Sequence, residues 1–172
     1  MWSKYLQYNT NYLYKGIKMG ALTPPSRKSC YNFRVVEVTK VIDGDTIDVV
    51  IDLGFDLYKK ERVRVAGIDT PEKRTTDEEE KALGIDATNW LKHKLEAAVA
   101  GEEDLVIRTE IEGAFGKYGR LLGWLYLGMD AELSLNEQMI KEGYCWAYDG
   151  GTKCKNFEEL KEIRRANGTL VE

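Results

Sequence analysis

From Phe33 onward the chain alternates apolar and polar residues in short stretches of period two, the pattern of half-buried strands. Residues 33–42 (FRVVEVTKVI) predict a first strand. Residues 45–53 (DTIDVVIDL) predict a second, with Ile47, Val49, Ile51 and Leu53 on one face. Gly54 and Asp56 suit the turn that follows. Residues 59–68 (KKERVRVAGI) predict a third strand, with Val63 and Val65 on one side and Arg62 and Arg64 on the other. Residues 104–110 and 120–127 give two more, joined by the glycine-rich "EGAFGKYGR". The period lengthens over residues 81–99, where Leu83, Ala87, Trp90, Leu91 and Ala98 share a helical face. A short helix over 133–142 is closed by Gly143. Asn156 and Glu159 have the form of a capping box opening a last helix, which Gly168 ends. The order β-β-β-α-β-β-α-α predicts a mainly β, α+β fold: a five-stranded, partly open, OB-type Greek-key barrel with three α-helices.

Composition changes this picture little; charge changes it more. A chain of 172 residues, 43% hydrophobic and 31% charged, can build one globular domain with a real core. No apolar run approaches the ~18 residues of a membrane span, and the first 30 residues lack the apolar block of a secretory signal. A cytoplasmic monomer without membrane contact is the expectation. Residues 1–30 carry Lys4, Lys15, Lys18, Arg27 and Lys28 and no acid, so they hold +5 while the remainder holds −9. With Pro24-Pro25-Ser26 at their end, they read as a basic, poorly ordered tail, and residues 31–172 as the folded domain. Cys30, Cys145 and Cys154 form no C-x-x-C pair. Reduced thiols are expected, with a Cys145–Cys154 bridge as the alternative.

Candidate chemistry starts at "VIDGDTIDVV", residues 41–50. Asp45 shares the parity of Ile47 and Val49 and should face the barrel where its mouth opens to water. A carboxylate there is costly unless a cation meets it. A second acidic spot is "GIDTPE", residues 67–72, where Asp69 ends the third strand and Glu72 follows the Thr70-Pro71 turn. Arg64 lies five residues before Asp69. In "GKYGR", residues 116–120, Arg120 opens the fifth strand. Oxygen donors without histidine favour Ca²⁺ or Mg²⁺, and arginine matches phosphate geometry. A carboxylate can act as general base toward water. Together these are parts for hydrolysing a phosphodiester.

"VIDGDT", "VRVAGIDTPE" and "GKYGR", in this order and on these strands, resemble the staphylococcal nuclease-like, or thermonuclease, family from about Phe33 to about Asn167. The resemblance implies that Asp45, Asp69 and the backbone carbonyl of Thr70 hold Ca²⁺, with Asp43 beside the metal. It implies Glu72 as the general base, and Arg64 and Arg120 as the arginines that stabilise the transition state. Lys117 and Tyr118 would contact the terminal phosphate, and Tyr148 in "CWAYDGG" would pack on the base. Members of the family cut DNA and RNA with little sequence preference, leaving 3′-phosphates. This chain departs from the pattern in a longer second hairpin ("IDLGFDLYKKER") and in Gly150, which stands where a tyrosine is common. It also departs in the acidic run "TDEEEK" after Glu72 and in the −9 charge of the domain, unlike the basic balance of a tight nucleic-acid binder.

Blander readings compete at each point. The aspartates could only make a turn, Arg64 could be a surface residue like Arg62, and Tyr118 and Tyr148 could be ordinary buried tyrosines. "DGDTIDVVIDLG" fails as an EF-hand because Asp48 stands where glycine is needed, and "GKYG" is no P-loop because Tyr118 follows Lys117. His93 falls opposite the apolar face of its helix, and residues 77–80 (DEEE) read as a solvated first turn. The rival to an enzyme is a nuclease-like module that binds nucleic acid or protein without cutting.

Overall fold

A computed structural model describes residues 30–110, 114–116, 119–153 and 155–170. Its elements are β1 (Cys30–Asp43), β2 (Thr46–Asp52), β3 (Tyr58–Val65), β4 (Ile68–Asp69), α1 (Glu78–Ala97), β5 (Leu105–Glu110), β6 (Leu121–Leu127), α2 (Leu135–Lys141), β7 (Trp146–Ala147) and α3 (Phe157–Ala166). The end of α1 loosens into a π-helical turn, Ala98–Glu102. Cys30, at the end of the expected basic tail, already belongs to β1; the rest of that tail lies outside the described residues.

Five strands close a barrel in the order β1-β2-β3-β6-β5. Closure goes further than the partly open barrel expected from the pattern, and β1 is the reason. Its first residues pair with β5, from Cys30 opposite Glu110 to Arg34 opposite Val106. Its later residues pair with β2, from Arg34 opposite Asp52 to Asp43 opposite Thr46, with three shifts of register along the way. Such bulges bend a strand enough to serve two neighbours. All pairs are antiparallel except β3 with β6, where Val63 faces Leu121. Ile47, Val49, Ile51, Val63, Val65, Ile107 and Leu125 fill the core. α1 adds Ala87, Leu91 and Leu95, and α2 adds Leu135 and Met139.

Leu53 does not join that core. It is 42% exposed, because β2 ends at Asp52 and Gly54, Phe55 and Asp56 all turn with positive φ, which breaks the alternation. The third strand also ends early. β3 stops at Val65, and Ile68–Asp69 leave the barrel to pair with β7, Ile68 opposite Ala147 and Asp69 opposite Trp146. Buried Asn136 at the start of α2 fixes the intervening turn. Its Nδ2 donates to the carbonyls of Ala66 (2.7 Å) and Gly123 (3.3 Å), and its Oδ1 accepts from the Leu125 N–H (3.0 Å).

Helix ends follow side-chain caps more than apolar spacing. α1 starts at Glu78, ahead of the first spaced apolar residue, because Asp77 accepts from the N–H groups of Glu79 and Glu80. Ser134 and Glu137 make a reciprocal capping box at α2. Asn156 caps α3 by accepting from the Glu159 N–H at 3.3 Å. His93 is exposed, as its place on α1 predicts. Cys30 and Cys145 are buried free thiols, and Cys154, the partner in the alternative bridge, lies outside the described residues. Among the described residues no helix is long and apolar enough to cross a membrane.

Candidate active site

The barrel mouth collects the acids. Asp45 sits in the Gly44–Asp45 turn just ahead of β2, not on the strand itself. The Val65 N–H donates to its carbonyl at 2.8 Å, which ties this turn to the end of β3. Arg64 then reaches both carboxylates. Its Nη1 lies 2.7 Å from Asp45 Oδ2, and its Nη2 lies 3.4 Å from Asp69 Oδ1. The same two nitrogens donate to the carbonyls of Val65 (3.3 Å) and Ile68 (2.9 Å). The Arg64 side chain is only 13% exposed, and that of Asp69 only 5%.

One guanidinium does not satisfy these acids. Burial drives the Asp45 carboxyl up to about 6 against the Arg64 charge, and neighbouring Asp43 adds to the rise. Asp43 Oδ1 is buried without a hydrogen-bond partner. Unmet negative charge on oxygen donors is what a hard cation would answer. Among the described residues no group of three or more His, Cys, Asp and Glu side chains is arranged to hold a metal ion. The expected donor set has two carboxylates and the backbone carbonyl of Thr70, a buried residue following Asp69. It fits a cation that keeps several waters.

Glu72 is exposed on the loop after Thr70, and its backbone is pinned from behind. The Glu72 N–H donates to Glu80 Oε1 at 3.3 Å, and Lys155 Nζ lies 2.8 Å from the same oxygen. Glu80 is therefore buried, which corrects the solvated reading of residues 77–80 for this residue; Glu78 and Glu79 are exposed as expected. Gly84, one turn further along α1, lets the loop lie on the helix. A Cβ there would come within 2.6 Å of the Pro71 carbonyl and 2.8 Å of Glu72 backbone carbon.

The β4–β7 pair brings the 148–153 loop over Asp69. Tyr148 is half-buried and donates its N–H to the Gly67 carbonyl (2.8 Å) and its hydroxyl to the Gly151 carbonyl (3.1 Å). Lys153 Nζ reaches Asp69 Oδ1 at 2.8 Å. Burial works against its ammonium, yet the bond and the charges of Asp69, Glu72 and Asp45 hold its pKa above the ordinary lysine value. Arg120 is half-buried immediately before Leu121, one strand over from Arg64, and its carbonyl accepts from the Gly116 N–H at 2.9 Å. Lys117 and Tyr118 lie outside the described residues. The structure thus joins Asp45, Arg64 and Asp69 directly, with Asp43, Thr70 and Glu72 around them. Sequence reasoning missed Glu80, Gly84 and Lys153. A lysine two residues past a glycine pair was the one visible hint of the last.

The chain has recognisable relatives. A family model described as staphylococcal nuclease homologue matches residues 62–169, a stretch holding Arg64, Asp69, Thr70, Glu72, Arg120 and Tyr148. The chain is 33% identical over 141 residues to the micrococcal nuclease of Shigella flexneri, covering 75% of this chain and 68% of that protein. It is 33% identical over 135 residues to the thermonuclease of Staphylococcus hyicus, covering 78% and 71%. Protein ParB of Escherichia coli is 30% identical over 141 residues, covering 78% and 69%. With the barrel and its acid-lined mouth in place, these matches make the chain a member of the staphylococcal nuclease homologue family.

Proposed function

We propose that this protein is a Ca²⁺-dependent nuclease that hydrolyses phosphodiester bonds in DNA, RNA or both. The observation that carries the reading is the pair of nearly buried carboxylates, Asp45 and Asp69, gathered on Arg64 at the barrel mouth, beside the exposed Glu72. The names of its relatives, a micrococcal nuclease and a thermonuclease, agree with that chemistry. Asp45, Asp69 and the Thr70 carbonyl would hold the cation, with Asp43 beside them. When bound, a hard dication supplies positive charge against the phosphoryl oxygen. Glu72 takes the proton of the attacking water, a task suited to a carboxylate that solvent reaches. Arg64 and Arg120 meet charge that develops on phosphate oxygens. Tyr148, its hydroxyl turned to Gly151, offers a ring on which a base can pack. Supercoiled plasmid should be nicked with Ca²⁺ and left intact with chelator. Intact plasmid in both, from protein that binds Ca²⁺ by calorimetry, would make the chain a binding module.

Gly84→Ala tests how the Glu72 loop is seated. Alanine favours a helix interior by about 1 kcal/mol, so helix propensity alone predicts a more stable protein. The added Cβ would instead push the Pro71–Lys73 backbone away from α1. A displacement of that kind is expected to lower kcat by about 100-fold. Single-turnover rates on a short oligonucleotide would measure it, and wild-type rates in a more stable variant would show that the loop adapts at no cost.

A further inference from the structure

Asp69 Oδ1 carries two cationic partners, Arg64 at 3.4 Å and Lys153 at 2.8 Å. They are held very differently. Arg64 stands on a barrel strand, is 13% exposed, and also bonds the carbonyls of Val65 and Ile68 and the carboxylate of Asp45. Lys153 is 47% exposed and rides on a loop. That loop is shaped to present it. Tyr148 anchors its start to Gly67, and its hydroxyl bonds the Gly151 carbonyl. Asp149 accepts from the Gly151 N–H at 2.9 Å, and Gly150 takes φ +92°, a left-handed conformation open to glycine. A residue with a side chain would be strained at that angle, so Gly150 belongs to this presentation.

Together the guanidinium and the ammonium place two positive charges on Asp45 and Asp69, the charge of one divalent cation. A dication bound there repels both, and the exposed, singly bonded lysine yields first. We propose that Lys153 is a tethered counter-cation of Asp69 that competes with the divalent cation and so sets the metal affinity of the site. This rests on the reading of Asp69 as a metal ligand. The coupling is reciprocal: whatever the ammonium gains from Asp69 in the metal-free protein is subtracted from cation binding.

Calorimetric titration of the full chain with CaCl₂ tests it, with Lys155→Met as control for loss of a charge nearby, since Lys155 pairs with Glu80. Lys153→Met should bind Ca²⁺ about fivefold more tightly, the scale of a partly exposed, charge-assisted bond to a buried carboxylate. Lys155→Met should change affinity less than about twofold, and Lys153→Arg should stay near wild type. The rise in melting temperature on adding Ca²⁺ should be larger for Lys153→Met, in step with the affinity. Equal tightening in Lys153→Met and Lys155→Met would reduce the effect to the general field and overturn the competition. Unchanged or weaker binding in Lys153→Met would overturn it as well, with the metal assignment left standing. No binding in any of these proteins would overturn both.

Discussion

Arg64→Lys should lower kcat by about 10²–10³-fold, the usual loss when one preorganised electrostatic donor is removed from a transition state. Lysine keeps the charge but not the planar fork. In this structure the fork spans two acids: Nη1 serves Asp45 while Nη2 serves Asp69 and the Ile68 carbonyl. A single ammonium on a flexible stem reaches one acid at a time. Arg64→Ala should add a stability cost of about 3–5 kcal/mol in the metal-free protein, because buried carboxylates lose their counter-charge. Added Ca²⁺ should return part of that loss, since cation and guanidinium answer the same charge. Urea unfolding with and without Ca²⁺ measures the stability term, and single-turnover cleavage measures the catalytic one. Near-normal turnover in the lysine variant would show that plain charge suffices. An alanine variant as stable as wild type would show that Arg64 does not hold the acids together.

The parts of this site that were legible in the sequence are those written in local order. Val63 and Val65 alternate with Arg62 and Arg64, so the strand and its two faces follow from period two alone. Asp45 was legible as an oddity, an acid beside Ile47 and Val49 where an apolar residue would serve a core better. The resemblance carried Asp69 and Glu72 from their fixed spacing. What stayed hidden depends on contacts between distant segments. Glu80 sits in an acidic run that composition alone sends to solvent, and it is buried because the Glu72 N–H and the Lys155 ammonium both meet its Oε1. Asn136 is one polar residue in an amphipathic helix, yet it joins the turn at Ala66 to β6. The end of β3 was misplaced because Ile68 and Asp69 keep strand-like character and merely change partner, from the barrel to β7. No local pattern distinguishes two strand residues that continue a ladder from two that start another.

Glu72→Gln should leave KM close to wild type and lower kcat by about 10²–10⁴-fold, the range for a positioned general base. Glutamine keeps the size and the hydrogen-bonding capacity of the side chain but cannot take a proton from water. Its effect should fall on kcat because the transfer is made only in the transition state. The backbone anchor should be untouched, since the bond to Glu80 comes from the Glu72 N–H and not from its carboxylate. That separation gives a second, sharper comparison. Glu80→Gln alone weakens the ion pair to Lys155 and loosens the loop, and so acts on catalysis through Glu72. In the Glu72→Gln background the same change has little left to spoil, so the double variant should be scarcely slower than Glu72→Gln itself. Residues working as one unit show this lack of additivity. Full additivity of the two losses in kcat would mean that Glu80 serves the reaction by some route other than seating Glu72. A rise in KM with kcat unchanged in Glu72→Gln would remove the base role and leave Glu72 as a substrate contact.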